Sequence, residues 1–313
     1  MILVKEYSPV FIRYCVKFLN EKIRISFKRK FKFGAPIPCD DVYYPNKPVY
    51  LSVCSIFKDE APYLKEWIEY HLLAGVERFY LYDNNSSDNP LELLQPYINK
   101  GIVVYHKLDG EGKQYVAYRD AIYKYKKQTY WMAIIDLDEF ILPVEKDDIK
   151  EFLKDYEKYP GVVINQQVFD SNGYKTKPNV PVIEAYTKIS KEYGVILSAQ
   201  IKSIFKPQEV SEIHTAHYAN YKGNKLAVYP NLLEVPANTY GIVCNYLEVM
   251  SKIRLNHYYT KSEEEYLKRC NRNYANMPVK RPVMQSFLNF CGETEEDLTI
   301  QKYLPKLKAR LKN

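Results

Sequence analysis

Asp136 and Asp138 stand two residues apart, with Glu139 directly after, at the end of the apolar run Tyr130-Trp131-Met132-Ala133-Ile134-Ile135. Two hard oxygen donors at that spacing can hold a divalent cation that keeps water and substrate phosphates in its remaining positions. The apolar run suits a strand buried on both faces, as in a parallel sheet. The acids then sit outside the carboxyl end of that strand, where open α/β sheets bind ligands. The same acids also suit strand-end solvation or the N-cap of a following helix, so the rest of the chain has to decide.

Asp59 and Asp83 add to the pattern. Each closes a predicted strand on the same side of the sheet as Asp136. Acids there can accept from a ribose hydroxyl or a base N–H, and turn or cap chemistry alone explains each of them singly. With Asp136-x-Asp138 they outline a nucleotide cleft. His214-Thr-Ala-His217-Tyr218 and Asn256-His257-Tyr258-Tyr259 supply three of the five histidines, all in the part of the chain that would cover this cleft. One imidazole could complete a metal shell and another could act as a base near neutral pH, although a lone histidine is more often a satisfied core or surface residue. There is no G-x-G-x-x-G after Leu51–Phe57 and no G-x-x-x-x-G-K-[ST], which counts against dinucleotide and P-loop sites.

The elements that must position these residues read as alternating strands and helices. Leu51–Phe57 is a strand. Lys58-Asp59-Glu60-Ala61-Pro62 starts a helix, with acids and proline where the first turn favours them, and Gly75 closes it. Arg78–Tyr82 and Ile102–His106 are strands around a helix at Leu91–Asn99, and Tyr115–Tyr125 is a helix before the Asp136 strand. Ile149–Tyr159 is a helix and Gly161–Gln166 a strand. Further on, Gln200–Phe205 and Lys252–His257 are strands carrying basic residues. Ser262-x-x-Glu265 is a capping box opening a helix to about Asn273, and residues 282–313 are expected to be helical. Strands alternating with helices predict an α/β fold with a doubly wound, mainly parallel sheet.

Composition narrows the partners. The net charge is +7, and residues 1–34 alone hold nine Lys or Arg against two acids, so the remainder is near neutral. A nucleic-acid reader spreads its basic residues over a folded face, so no nucleic-acid partner is expected. Val10, Phe11, Tyr14, Cys15 and Phe18 share one helical face of this arm. A basic amphipathic segment over residues 8–33 can lie on an anionic membrane surface or pack on the body. The 31 tyrosines suit polar-apolar surfaces, including those that stack on sugars or bases. The six cysteines form no C-x-x-C pair, and Cys54 reads as a core residue, which points to a reducing compartment. No apolar stretch is long enough to span a bilayer, so a protein in the cytoplasm, or at the inner membrane face, is expected.

Four blocks in order resemble glycosyltransferase family 92, related to the family 2 enzymes. They are Ser52–His71, Phe79-Tyr-Leu-Tyr-Asp-Asn-Asn-Ser-Ser-Asp88, Ile134-Ile-Asp-Leu-Asp-Glu-Phe140 and Arg254-Leu-Asn-His-Tyr-Tyr-Thr-Lys-Ser-Glu263. The resemblance runs from about residue 50 to about 275. It implies a GT-A fold, an inverting mechanism, a UDP-sugar donor with galactose frequent, and a manganese (or magnesium) ion. By the same resemblance Asp136 and Asp138 are the metal-binding D-x-D, with Asp136 also at the donor, and His257 is a third metal ligand. Asp59 and Asp83 hold the nucleoside, while Gln114 and Arg119 lie near the donor. Asp170-Ser-Asn-Gly-Tyr174 departs from the family's Gly-Ser-Ser-Gly-His, and Thr215-Ala-His-Tyr218 departs from Thr-Pro-His-Tyr while keeping the histidine.

The expected organisation is a basic arm and linker over 1–48, a GT-A domain over 49–275 and a helical segment over 276–313. The expected activity is hexosyl transfer to a glycan or lipid-linked acceptor hydroxyl. His217 is the candidate base, and an acid within 166–212 is its alternative. A non-catalytic nucleotide-sugar or glycan-binding module on the same fold is the competing function.

Overall fold

The structure, a computed structural model, describes residues 35–37, 46–190, 200–237, 239, 250–281, 283 and 293–312. The chain divides into two units, Met1–Gly34 and Ala35–Asn313, and only the second contains described residues.

Successive side chains of a strand point to opposite faces, and here both faces are buried. Strand β1 (Val49–Phe57) sends Leu51, Val53 and Phe57 into one core and Cys54 and Ile56 into another. The first core is closed by helices α1 (Ala61–Leu73) and α2 (Pro90–Asn99), which bring Leu64, Trp67, Ile68, Leu94 and Tyr97. Helix α3 (Gln114–Tyr125) closes the second with Ala117, Tyr118, Ala121 and Ile122. Strands β2 (Arg78–Asp83), β3 (Val103–Lys107) and β4 (Thr129–Ile134) run parallel to β1, in the order β3-β2-β1-β4. This is the doubly wound α/β half that the alternating pattern predicts.

Beyond β4 the sheet becomes mixed. The chain leaves β4 at Ile134, just before the acids as expected, and re-enters at the far edge as β5 (Glu139–Pro143). Helix α4 (Ile149–Lys154) follows, shorter than the expected Ile149–Tyr159. Between β4 and β5 lie β7 (Ile201–Phe205), β6 (Gly161–Val168) and β8 (Ile253–His257), giving β4-β7-β6-β8-β5. Strand β7 is antiparallel to both neighbours, β8 is parallel to β6, and β5 is antiparallel to β8. Four strand spacings amount to roughly 19 Å, while the five residue steps from Ile134 to Glu139 reach about 18 Å at most. A turn inside that link, from Glu139 N to Asp136 O at 3.1 Å, shortens it further, so the sheet has to curl around it. The Asp136–Asp138 segment thus bridges the carboxyl ends of β6 and β8 and the amino ends of β7 and β5.

Helix α5 (Glu263–Cys270) begins with the expected capping box of Ser262 and Glu265, but ends before Asn273, which pairs in a short hairpin with Lys280. The C-terminal segment is helical over Thr299–Tyr303 and α6 (Leu304–Leu311), and Tyr303 meets the Tyr70 ring of α1 at 5.2 Å. Thr294–Glu296 is not helical; it pairs antiparallel with Lys188–Ser190. Among the described residues no helix is long and apolar enough to cross a membrane.

Candidate active site

The register of β5 on β8 sets Glu139 opposite His257, and the turn places Asp136 and Asp138 beside them. Asp138 Oδ2 lies 3.4 Å from His257 Nε2. It also takes the Arg269 guanidinium, which is held in turn by the Tyr259 carbonyl at 3.0 Å and the Tyr259 ring at 4.3 Å. The last turn of α5 delivers Arg269, so the capping box at the other end of that helix matters here. Glu265 of the box is fastened to the body by the Tyr63 and Tyr186 hydroxyls. Arg272, just past the helix, donates to the Lys58 carbonyl and pairs with Glu60 at 3.1 Å.

Asp136 is served from the other side. Lys202, fully buried on β7, puts Nζ 2.9 Å from Asp136 Oδ2 and 3.3 Å from Glu139 Oε2. Glu139 Oε2 also accepts the Asp136 N–H at 2.8 Å. Of the three acids Asp136 reaches solvent most, its side chain 34% exposed against 8% for Asp138 and 0% for Glu139.

The charges follow from these contacts. Burial would raise the Asp136 carboxyl, but the Lys202 ammonium holds it below the usual carboxylate range. Burial also opposes ionisation of Asp138, and the Arg269 guanidinium outweighs it, so Asp138 is held well below that range. For Glu139 burial wins over Lys202, and its carboxyl is pushed up to about 7. Burial would depress the Lys202 ammonium, yet Asp136 and Glu139 raise it, so it stays charged.

His257 Nδ1 faces Gln166 Oε1 at 3.1 Å, and its buried Nε2 has no hydrogen-bond partner. Two donors at right angles on one hard cation stand about 3 Å apart. Asp138 Oδ2 and His257 Nε2 are close to that spacing, and the orphaned Nε2 is the kind of donor such an ion uses, so this pair fits a manganese or magnesium ion. Among the described residues no three His, Cys, Asp or Glu side chains gather as a cage. Diphosphate oxygens and water would supply the other positions, with Asp136 beside them.

Asp59, Asp83 and His217 lie at the same sheet edge, while Gln114 and Arg119 are carried by α3. His217 Nδ1 donates to the Ile201 carbonyl at 2.9 Å, and a neutral imidazole protonated there carries its lone pair on Nε2. Gln114 donates to the Tyr118 hydroxyl at 3.1 Å. Burial, then the charge of Asp136, holds that phenol well above its ordinary value. Arg119 lies half-buried on the same helix. Asp83 spends both oxygens inside the fold, accepting from Ser86 N at 2.8 Å and the Tyr105 hydroxyl at 2.6 Å. Asp59, at φ 53°, accepts from Ser87 N at 2.7 Å and from its hydroxyl at 3.0 Å. These two acids fasten the β1 and β2 ends to one loop. His71, fully buried, donates to the Trp67 carbonyl at 2.8 Å and accepts from Ile141 N at 3.3 Å; burial lowers it to about 3, a structural role.

Lys202, Gln166 and Arg269 were not among the expected site residues. A lone lysine inside Ile201-Lys-Ser-Ile-Phe205 is the sequence signal of a buried counter-ion. The polar run Asn165-Gln166-Gln167 inside an apolar strand is another. Arg269 has no local signal beyond its place near a helix end.

The sequence model of glycosyltransferase family 92 matches residues 47–281, more than half of the chain. A family 92 protein of Oryza sativa subsp. japonica is 26% identical over 192 residues, covering 60% of this chain and 32% of that protein. The galactan beta-1,4-galactosyltransferase GALS3 of Arabidopsis thaliana is 29% identical over 118 residues, covering 34% of this chain and 23% of that protein. A crystal structure of S. aureus TarS 1-349 superposes with a TM-score of 0.32 at 13% identity, covering 50% of this chain and 47% of that one. The chain spans no more than about a third of the length of the relatives it matches. The α/β sheet with its acids at the carboxyl edge is the GT-A arrangement the resemblance implies, and with the match over residues 47–281 it places this chain in glycosyltransferase family 92.

Proposed function

We propose that this chain transfers a hexose from a UDP-sugar to a hydroxyl of a glycan or lipid-linked acceptor, with inversion at the anomeric carbon. The observation that carries the reading is that Asp138 Oδ2 and His257 Nε2, a buried nitrogen without a hydrogen-bond partner, stand 3.4 Å apart at the carboxyl edge of the sheet. A divalent cation bound there would neutralise the diphosphate leaving group as negative charge develops on it. Lys202 keeps Asp136 ionised and oriented, and Arg269 adds a second positive charge at the same edge. In the transfer the acceptor oxygen bonds to the anomeric carbon, the bond to the donor phosphate oxygen breaks with its electron pair, and UDP departs. The acceptor proton passes to a base, for which His217 Nε2 is our candidate. Galactose is the favoured sugar, because two of the Arabidopsis thaliana relatives are named galactan galactosyltransferases.

Thermal unfolding with UDP tests the reading. UDP with manganese should raise the melting temperature by several degrees, EDTA should remove the rise, and Asp138→Asn should abolish it. A non-catalytic binding module would show the same shift but no release of UDP from any UDP-sugar. No shift with UDP and manganese at millimolar concentrations would contradict the reading.

A further inference from the structure

Gln166 lies on β6, where the parallel register pairs it with Leu255, two residues before His257 on β8. It is 1% exposed, and both ends of its amide are used. Nε2 donates to Glu139 Oε1 at 2.7 Å, and Oε1 stands 3.1 Å from His257 Nδ1. Glu139 Oε1 itself is 3.9 Å from that nitrogen, too far for a hydrogen bond, so the amide bridges the two side chains.

The direction of this relay follows from its far end. Glu139 Oε2 receives the Asp136 N–H at 2.8 Å and faces the Lys202 ammonium at 3.3 Å. Both are donors, so the carboxylate accepts, and the Gln166 amide nitrogen turns toward it. The amide oxygen is then what His257 Nδ1 meets, and a nitrogen hydrogen-bonded to an oxygen acceptor carries the proton. A neutral imidazole carries only one, which leaves Nε2 with its lone pair. Nε2 is the buried nitrogen without a hydrogen-bond partner, 3.4 Å from Asp138 Oδ2.

We propose that Gln166 is a positioning residue that fixes His257 in its Nδ1–H tautomer, through the relay Glu139–Gln166–His257, and so presents Nε2 as a lone-pair donor beside Asp138. The consequence for metal binding rests on the proposed function; the tautomer itself does not. Partners that orient a ligating histidine in this way change metal affinity by about 10- to 100-fold when removed.

The test uses the full chain labelled with 15N-histidine at pH 8, with His257→Ala to identify the His257 signals among the five histidines. Long-range 1H–15N spectra should show Nδ1 protonated and Nε2 unprotonated. In Gln166→Leu the proton should move to Nε2, toward Asp138, and manganese affinity read by water-proton relaxation should fall about 10- to 100-fold. Gln166→Met provides the same removal of the acceptor if the leucine variant does not fold. A wild-type His257 protonated on Nε2 means the relay runs the other way and overturns the inference without any variant. So does an unchanged tautomer in a folded Gln166 variant. Equal manganese affinity in the wild type and His257→Ala would instead overturn the metal-binding consequence and, with it, the reading of the site as a cation site, while leaving the tautomer measurement valid.

Discussion

Lys202 Nζ lies 2.9 Å from Asp136 Oδ2, deep between β4 and β6, so the first acid of the D-x-D pair has a protein cation as its permanent partner. The lysine also faces Glu139, and one buried positive charge therefore serves two carboxylates. Removing one partner of a buried ion pair leaves an uncompensated charge, at about 3 to 5 kcal/mol. Lys202→Met should lose stability on that scale in urea unfolding. Adding Glu139→Gln to it should recover part of the loss, because only Asp136 then lacks its counter-charge. A strictly additive double variant would show that the lysine does not couple the two acids.

Arg269 and His257 meet the same oxygen of Asp138. A cation entering between Asp138 and His257 therefore competes with the guanidinium for that oxygen. Arg269→Ala should lower the stability of the metal-free protein by about 3 kcal/mol, since Asp138 is left buried and unpaired. Manganese should then raise the melting temperature more in the variant than in the wild type, because it binds the folded state and replaces the missing charge. An equal or smaller manganese-dependent rise in the variant would contradict this competition.

Glu66 offers a pH signature away from the site. It is buried on α1 and accepts from Val182 N at 2.9 Å and Ile183 N at 3.3 Å. Burial pushes its carboxyl from 4.5 up to about 7. Between those values the folded state binds more protons than the unfolded chain, so stability falls as pH rises through the window and levels off above it. The full difference corresponds to about 3 kcal/mol. Glu66→Gln stays uncharged, so unfolding midpoints at pH 5 and pH 8 should differ less in the variant than in the wild type. Identical pH dependence in the two proteins would remove the argument.

The sequence made the parallel half of the sheet legible because β1 to β4 alternate with amphipathic helices and end in turn residues. The Ser262–Glu265 box was equally readable, since both of its bonds are local. The crossing from Ile134 to Glu139 was not. Residues 130–140 look like one strand and its mouth, whereas β5 is a separate strand whose pairing with β8 lies more than a hundred residues away in the chain. The cations behave likewise: Lys202 and Arg269 reach the acids only through long-range pairing, and periodicity carries no information about that. Asp59 and Asp83 show the converse. Their strand-end position was readable, but the hydrogen bonds that occupy them come from Ser86, Ser87 and Tyr105 on neighbouring turns and strands.

The basic arm over residues 8–33 lies outside the described residues, and its prediction rests on sequence. Each Lys or Arg close to an anionic surface adds about 1 kcal/mol, so a cluster of this size can hold a protein reversibly. The full chain should sediment with anionic vesicles and release with added salt, and deletion of residues 1–34 should abolish the binding. Equal sedimentation of the full-length and truncated chains would contradict membrane attachment through this arm.

We propose that the cation on which sugar transfer depends is held by Asp138 and His257. The most direct measurement is UDP release from a panel of UDP-sugars, with manganese or with EDTA, for the wild type, Asp138→Ala and His257→Ala. Release from at least one UDP-hexose is expected, with loss of nearly all of it in EDTA and in Asp138→Ala, and restoration of much of it in His257→Ala only at far higher manganese. Full turnover in EDTA, or wild-type manganese dependence in His257→Ala, would contradict it.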